Sequence, residues 1–165
     1  MKATEFLLGS LCGSHDFAMA LLRDLSDSPL ARSGPDVGPH AHWIAGHLVL
    51  AEAAVLDQYL EGHPHRFSGL INSFGIGTSP KDPQDDWPEY ELLLDDLERL
   101  RGETVSKLTA MEDSALTLPC HDHDWPGPKF ETIGACLSGL AVHTMYHAGQ
   151  VACIRQRLGR TPLFL

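Results

Sequence analysis

The segment Gly139-Leu-Ala-Val-His143-Thr-Met-Tyr-His147-Ala-Gly-Gln-Val-Ala-Cys-Ile-Arg-Gln-Arg-Leu-Gly159 decides the fold. Leu137, Leu140, Thr144, His147, Val151, Ile154 and Leu158 recur at intervals of three and four, the spacing of a bundle helix with one buried face. His143 and His147 are four residues apart, so on a helix their imidazoles share a side, one turn apart, near enough to hold a single ion. The seam turns His147 inward and sets His143 beside it. The plainer alternative is two histidines at the core edge with ordinary hydrogen bonds.

A buried neutral imidazole must satisfy both ring nitrogens, and a divalent metal satisfies one while a carboxylate, carbonyl or water holds the other. Two histidines make half a site. The third ligand expected is His47, in Ala41-His-Trp-Ile-Ala-Gly-His47-Leu-Val-Leu-Ala-Glu52, a helical segment whose Ile44, Leu48, Ala51 and Val55 share a side with His47. Three histidines from two facing helices leave an open coordination position, the mark of a reactive ion. Asp16 and Glu52 are acids placed to orient ligand imidazoles, although most helix acids face water.

The rest of the chain reads as three further helical stretches and two irregular connectors, within one all-α domain over residues 1–165. Leu7, Leu8, Leu11, Ala18, Leu21, Leu22 and Leu25 predict a first helix from about Thr4 to Leu25, with His15 toward the core as a candidate catalytic or substrate-facing residue. Ser26 to His40 is a connector, and the second helix runs from Ala41 to about Leu60, stopped at Gly62-His-Pro64. Gly62 to Asp86, with four glycines and three prolines, is too long to join antiparallel neighbours. It predicts a crossover that sets helices two and three parallel in a four-helix bundle.

Asp85 or Asp86 is the expected cap of the third helix, with Pro88 in its first turn. Tyr90, Leu93, Leu97, Leu100, Thr104, Leu108 and Met111 form its buried stripe; Asp95, Asp96, Glu98, Arg99 and Arg101 are assigned to its wet face. The fourth helix runs from about Glu131 to Leu158, where Gly159 ends it. The short tail after it is expected to fold back onto the bundle.

Composition excludes several functions. With 22 Asp+Glu against 12 Lys+Arg, the formal charge of -10 repels phosphate backbones, so neither nucleic acid nor an anionic membrane surface is an expected partner. No stretch reads as a signal peptide or a spanning helix. Cys12, Cys120, Cys136 and Cys153 show no C-x-x-C spacing, which suits a reducing, cytoplasmic compartment. The loop cluster Cys120-His121-Asp122-His123 has ligand types without rigid scaffolding and is expected to shape a pocket rather than bind a second ion. His40, His42, His63 and His65 lie at helix margins beside Pro or Gly and are assigned to solvent. There is no nucleophile elbow, P-loop or Glu-x-x-His motif, which leaves one ion as the economical reading.

Trp43-Ile-Ala-Gly-His47-Leu followed by Glu52, a long crossover, and a last helix reading His143-x-x-x-His147-x-Gly149-Gln150-Val-x-x-x-Arg155-x-x-Leu-Gly159 resemble the DinB/YfiT-like superfamily. The resemblance covers most of the chain. It implies a four-helix bundle of up-down-down-up topology, with a divalent ion, often nickel or zinc, on His47, His143 and His147. It also implies homodimers formed through bundle helices, and relatives that act as transferases or isomerases with a low-molecular-weight thiol such as bacillithiol or mycothiol. One departure is Ala148, where members often carry a basic residue.

The expected function is therefore a metal-dependent transferase in which a thiol cosubstrate attacks a small-molecule electrophile. Metal-assisted hydrolysis of a small ester or amide, and a non-catalytic metal- or ligand-binding stress protein, are the alternatives.

Overall fold

A computed structural model describes residues 2–34, 37–78, 86–121 and 127–164. Among the described residues, the regular structure is helical apart from one small hairpin. Helix α1 spans Ala3–Arg23; strands β1 (Arg32–Gly34) and β2 (Val37–His40) form an antiparallel pair. Helix α2 spans Ala41–Ala54 and continues as a π-helical turn over Val55–Leu60. A short α3 (Ile71–Phe74), the long α4 (Tyr90–Thr109) and α5 (Ile133–Arg157) complete it. The four long helices pack in a ring, α1 against α4 and α5, and α2 against the same two.

The core follows from the spacing. Leu7, Leu11, Ala18, Leu21 and Leu22 are buried along α1 and Leu25 in the turn after it, and Leu93, Leu97, Leu100 and Leu108 are buried along α4. On α5, Leu137, Leu140, Thr144, His147, Val151 and Ile154 are buried as their periodicity requires. Leu158 departs from that stripe and is exposed, because the helix ends before it at Arg157. Gly159, with φ of 71°, takes the left-handed conformation that closes the helix. The tail folds back, and Phe164 stacks on Phe17 with ring centroids 4.4 Å apart.

Contacts between helices run along their length. Near the start of α2, His42 Nε2 donates to the Pro88 carbonyl just before α4, at 2.8 Å. Farther along both helices, Arg101 donates to Glu52 Oε2 at 2.8 Å and Thr104 Oγ1 donates to Glu52 Oε1 at 2.5 Å. Arg155 at the end of α5 meets Asp24 at the end of α1, at 2.8 Å. At the opposite end of α1, Asp113 accepts from the backbone of Ala3 and Thr4 at 3.0 Å.

Several expectations need correction. Arg101, assigned to the wet face of α4, is buried, because Glu52 and the Leu11 carbonyl provide partners that water would otherwise supply. His40, His42 and His65 are also buried rather than solvated. His40 Nδ1 accepts from Trp43 N and so caps α2, while His65 donates to the Leu50 carbonyl at 3.0 Å. Of that group, His63 is exposed and lies against Glu61. The N-cap of α4 is Glu89, with no side-chain cap bond, rather than Asp86; Asp85 lies outside the described residues. The connector after α1 contains the hairpin, and the crossover contains α3; neither stretch carries the periodicity that would predict an element.

Candidate metal centre

His47 is positioned from two sides. Trp43, one turn earlier on α2, stacks on its ring at 4.8 Å with planes 10° apart. The Trp43 indole donates to the Ser73 carbonyl at 3.1 Å, which ties the crossover to α2. The crossover then delivers the Phe74 carbonyl, 2.7 Å from His47 Nδ1. A carbonyl only accepts, so the Nδ1 of His47 carries the proton and its Nε2 presents a lone pair.

The same logic applies on α5. His147 Nδ1 lies 2.8 Å from Gln150 Oε1, three residues on, and the Gln150 amide nitrogen donates to the Tyr146 hydroxyl at 3.4 Å. With the oxygen of Gln150 toward the ring, His147 also holds its proton on Nδ1 and presents Nε2. His143 Nε2 sits 3.2 Å from His47 Nε2 and 3.1 Å from His147 Nε2. The three donor atoms lie within 4.8 Å of one another, and the group could hold a metal ion.

The protons do not balance without a cation. His47 and His147 each offer a bare Nε2, and one Nε2–H on His143 can serve only one of them. One close pair of nitrogens is then left with lone pair facing lone pair. Adding a proton is resisted: burial first, then the neighbouring imidazoles, lower His143 to about 4 and His147 to about 3. Burial lowers His47 too, against the pull of the Phe74 carbonyl. A divalent ion resolves the conflict by accepting all three lone pairs. Metal–nitrogen bonds of about 2.0 to 2.1 Å at tetrahedral angles set ligand nitrogens roughly 3.3 Å apart, close to the two spacings seen here. The donor set therefore fits a metal.

The centre opens on one side. His47 and His147 are buried, whereas His143 is half-buried and, with His47, reaches a cleft between α2 and α5. Other candidate residues lie elsewhere. His15 is buried in the bundle, where burial and the Arg101 charge lower it to about 4, and its Nδ1 has no hydrogen-bond partner among the described residues. Glu52 orients no imidazole, since Arg101 and Thr104 occupy its carboxylate, and Asp16 is exposed. The orienting groups that sequence reasoning missed are the Phe74 carbonyl and Gln150. The second was signalled by its place three residues after His147; the first, a backbone atom in a crossover, had no signal. In the loop cluster, His121 N donates to the Tyr59 carbonyl at 3.0 Å, while Asp122 and His123 lie outside the described residues.

The model of a protein family described as the DinB superfamily matches residues 14–151. No curated protein matches the chain. Among solved structures, it is similar to one described as the conserved protein of locus from Enterococcus faecalis. The TM-score is 0.62 at 18% sequence identity, over 97% of this chain and 99% of that one. At that identity the likeness speaks for the fold alone.

Proposed function

The chain belongs to the DinB superfamily, and from that premise we propose that it is a divalent-metal-dependent enzyme, a transferase that brings a low-molecular-weight thiol to a small-molecule electrophile. The observation that carries this reading is the convergence of three imidazole Nε2 atoms at 3.1 and 3.2 Å beside an open cleft. Nickel and zinc are the ions proposed, since both accept imidazole nitrogen. When bound, the ion supplies Lewis acidity that lowers the pKa of a thiol reaching its open position.

The protein's own contribution is positional. Phe74 and Gln150 fix the tautomers of His47 and His147, so both present lone pairs to one point. The half-buried edge of His143 leaves that point reachable from the cleft. No step is assigned to His15, which does not line the cleft.

Hydrolysis ranks lower because no carboxylate joins the histidine group among the described residues, and Glu52 is committed to Arg101. A closed storage or sensing site would call for a fourth protein ligand, and the group among the described residues has three.

The helix contacts support an up-down-down-up bundle. His42 beside Pro88 and Glu52 beside Arg101 align α2 with α4, and Arg155 beside Asp24 aligns α5 with α1. Val142, Met145 and Tyr146 share an exposed side of α5, which supports a homodimer formed through that helix. No described helix is long and apolar enough to cross a membrane, and four free cysteines suit a cytoplasmic setting.

Elemental analysis of untagged protein tests the centre. One ion per chain is expected, lost when His47, His143 and His147 are replaced together by Ala with the helical content kept. Thiol transfer is then assayed with zinc- and nickel-loaded protein. Metal uptake without transfer of any common bacterial thiol would refute the transferase reading.

A further inference from the structure

The cleft beside the three histidines has a chemistry that narrows what it binds. It is a small, half-open cleft, with room for a single compact ligand rather than an extended one. Its walls are hydrocarbon: Ala51, Ala54 and Val55 from the end of α2 and its continuation, Leu140 from α5, Ile76 from the crossover, and Phe130 from the segment before α5. Among the described residues, no Asp, Glu, Lys or Arg lines it.

The remaining polar groups add little. The Tyr59 hydroxyl donates to the Pro128 carbonyl at 2.6 Å, and the Cys136 thiol is buried, with burial pushing its pKa upward. Among the described residues, side-chain polar atoms able to meet a ligand are thus concentrated at the end where His47 and His143 face the cleft. A charged group on the ligand body would leave water for walls whose described residues offer no counter-charge, a heavy cost.

We propose that the cleft takes an uncharged, largely hydrocarbon molecule, an aryl or short alkyl body with a single donor atom at its histidine end. The donor atom rests on the metal-centre reading; the preference for an uncharged body does not. From His143 back to Cys136 is seven residues of α5, about 10 Å of helix at a rise of about 1.5 Å per residue. That length suits one aromatic ring with a short arm.

Benzyl alcohol, benzoate and benzylamine share a ring and differ in charge. Each is titrated into chelator-treated full-length protein and followed by amide NMR shifts. Saturable binding of benzyl alcohol is expected, with both charged probes weaker by about tenfold or more. Ala51→Phe, which fills the wall, and Ile76→Asp, which places a charge in it, should each weaken benzyl alcohol by about the same factor. The two variants lie on different elements, so a folding failure in one leaves the other as the test.

Benzoate bound as tightly as benzyl alcohol by the metal-free protein, or no saturable binding of the neutral ring, would overturn the proposal. Addition of Zn²⁺ is expected to strengthen binding of benzyl mercaptan. Neutral-ring binding with no effect of Zn²⁺ on the thiol would sink the metal-centre reading and leave the cleft's preference standing.

Discussion

His47 Nδ1 lies 2.7 Å from the Phe74 carbonyl oxygen, so a backbone atom of the crossover sets the tautomer of a side chain on α2. Gly46 makes this approach possible. A Cβ at that position would sit inside van der Waals contact with the Phe74 ring, which is fully buried. Gly46→Ala is therefore expected to push α3 off α2, at a cost of about 1 to 3 kcal/mol from overpacking. Loosening the tether should also weaken metal binding, by about 10- to 100-fold for loss of an orienting partner. Urea denaturation and chelator competition read the two effects. Unchanged metal affinity in a destabilised variant would show that Phe74 does not orient the ligand.

Gln150 has the corresponding role for His147, with Oε1 2.8 Å from Nδ1. Gln150→Leu removes the acceptor and frees the ring to change tautomer, so metal affinity should fall by about 10- to 100-fold. Gln150→Glu keeps an acceptor at the same reach and makes it anionic, which raises the basicity of Nε2. Its zinc affinity should equal or exceed that of the parent protein in the same chelator competition. A merely structural role for Gln150 would leave the two variants alike.

What the sequence made legible divides along physical lines. The inward faces of α1, α4 and α5 follow from repeats of three and four; α2 is buried at nearly every position, so its apolar character placed His47 inside the bundle, where it meets His143 and His147. Those readings need only helical geometry. The tethers at Phe74 and Gln150 depend on tertiary contact, and α3 is four residues long, too short to leave a period. Histidines beside Pro and Gly read as surface residues, yet His40, His42 and His65 each found backbone partners that made burial tolerable. Arg101 was misplaced because its charge suggested water, whereas Glu52 lies opposite it across the helix interface.

His15 makes stability depend on pH. In the unfolded chain its pKa is near 6.5; in the fold, burial and then Arg101 bring it to about 4. Between these values the unfolded state binds more protons, so stability is fully present above about 6.5 and is lost as pH falls toward 4. At pH 5 this one group is expected to cost about 2 kcal/mol relative to neutral pH. His143 and His147, also lowered, act in the same direction in metal-free protein. His15→Leu should shrink the difference in unfolding free energy between pH 7 and pH 5 by about that amount. An undiminished difference would mean that His15 titrates normally.

Glu52 and Arg101 form an ion pair at 2.8 Å, with side chains only 1% and 4% exposed, and the guanidinium also donates to the Leu11 carbonyl. One network thus joins α1, α2 and α4, and Arg101 comes within 3.4 Å of Thr144 on α5, the neighbour of His143. Removing either partner strands a buried charge, so Glu52→Gln and Arg101→Met should each cost about 3 to 5 kcal/mol. The double variant Glu52→Leu with Arg101→Met strands neither charge and should recover most of that loss, as urea denaturation would measure. Its metal affinity then separates two roles for the pair. A weakened centre in a stable double variant means that the network holds α2 and α5 in the register that brings His47 to His143; full affinity means that apolar packing alone sets that register.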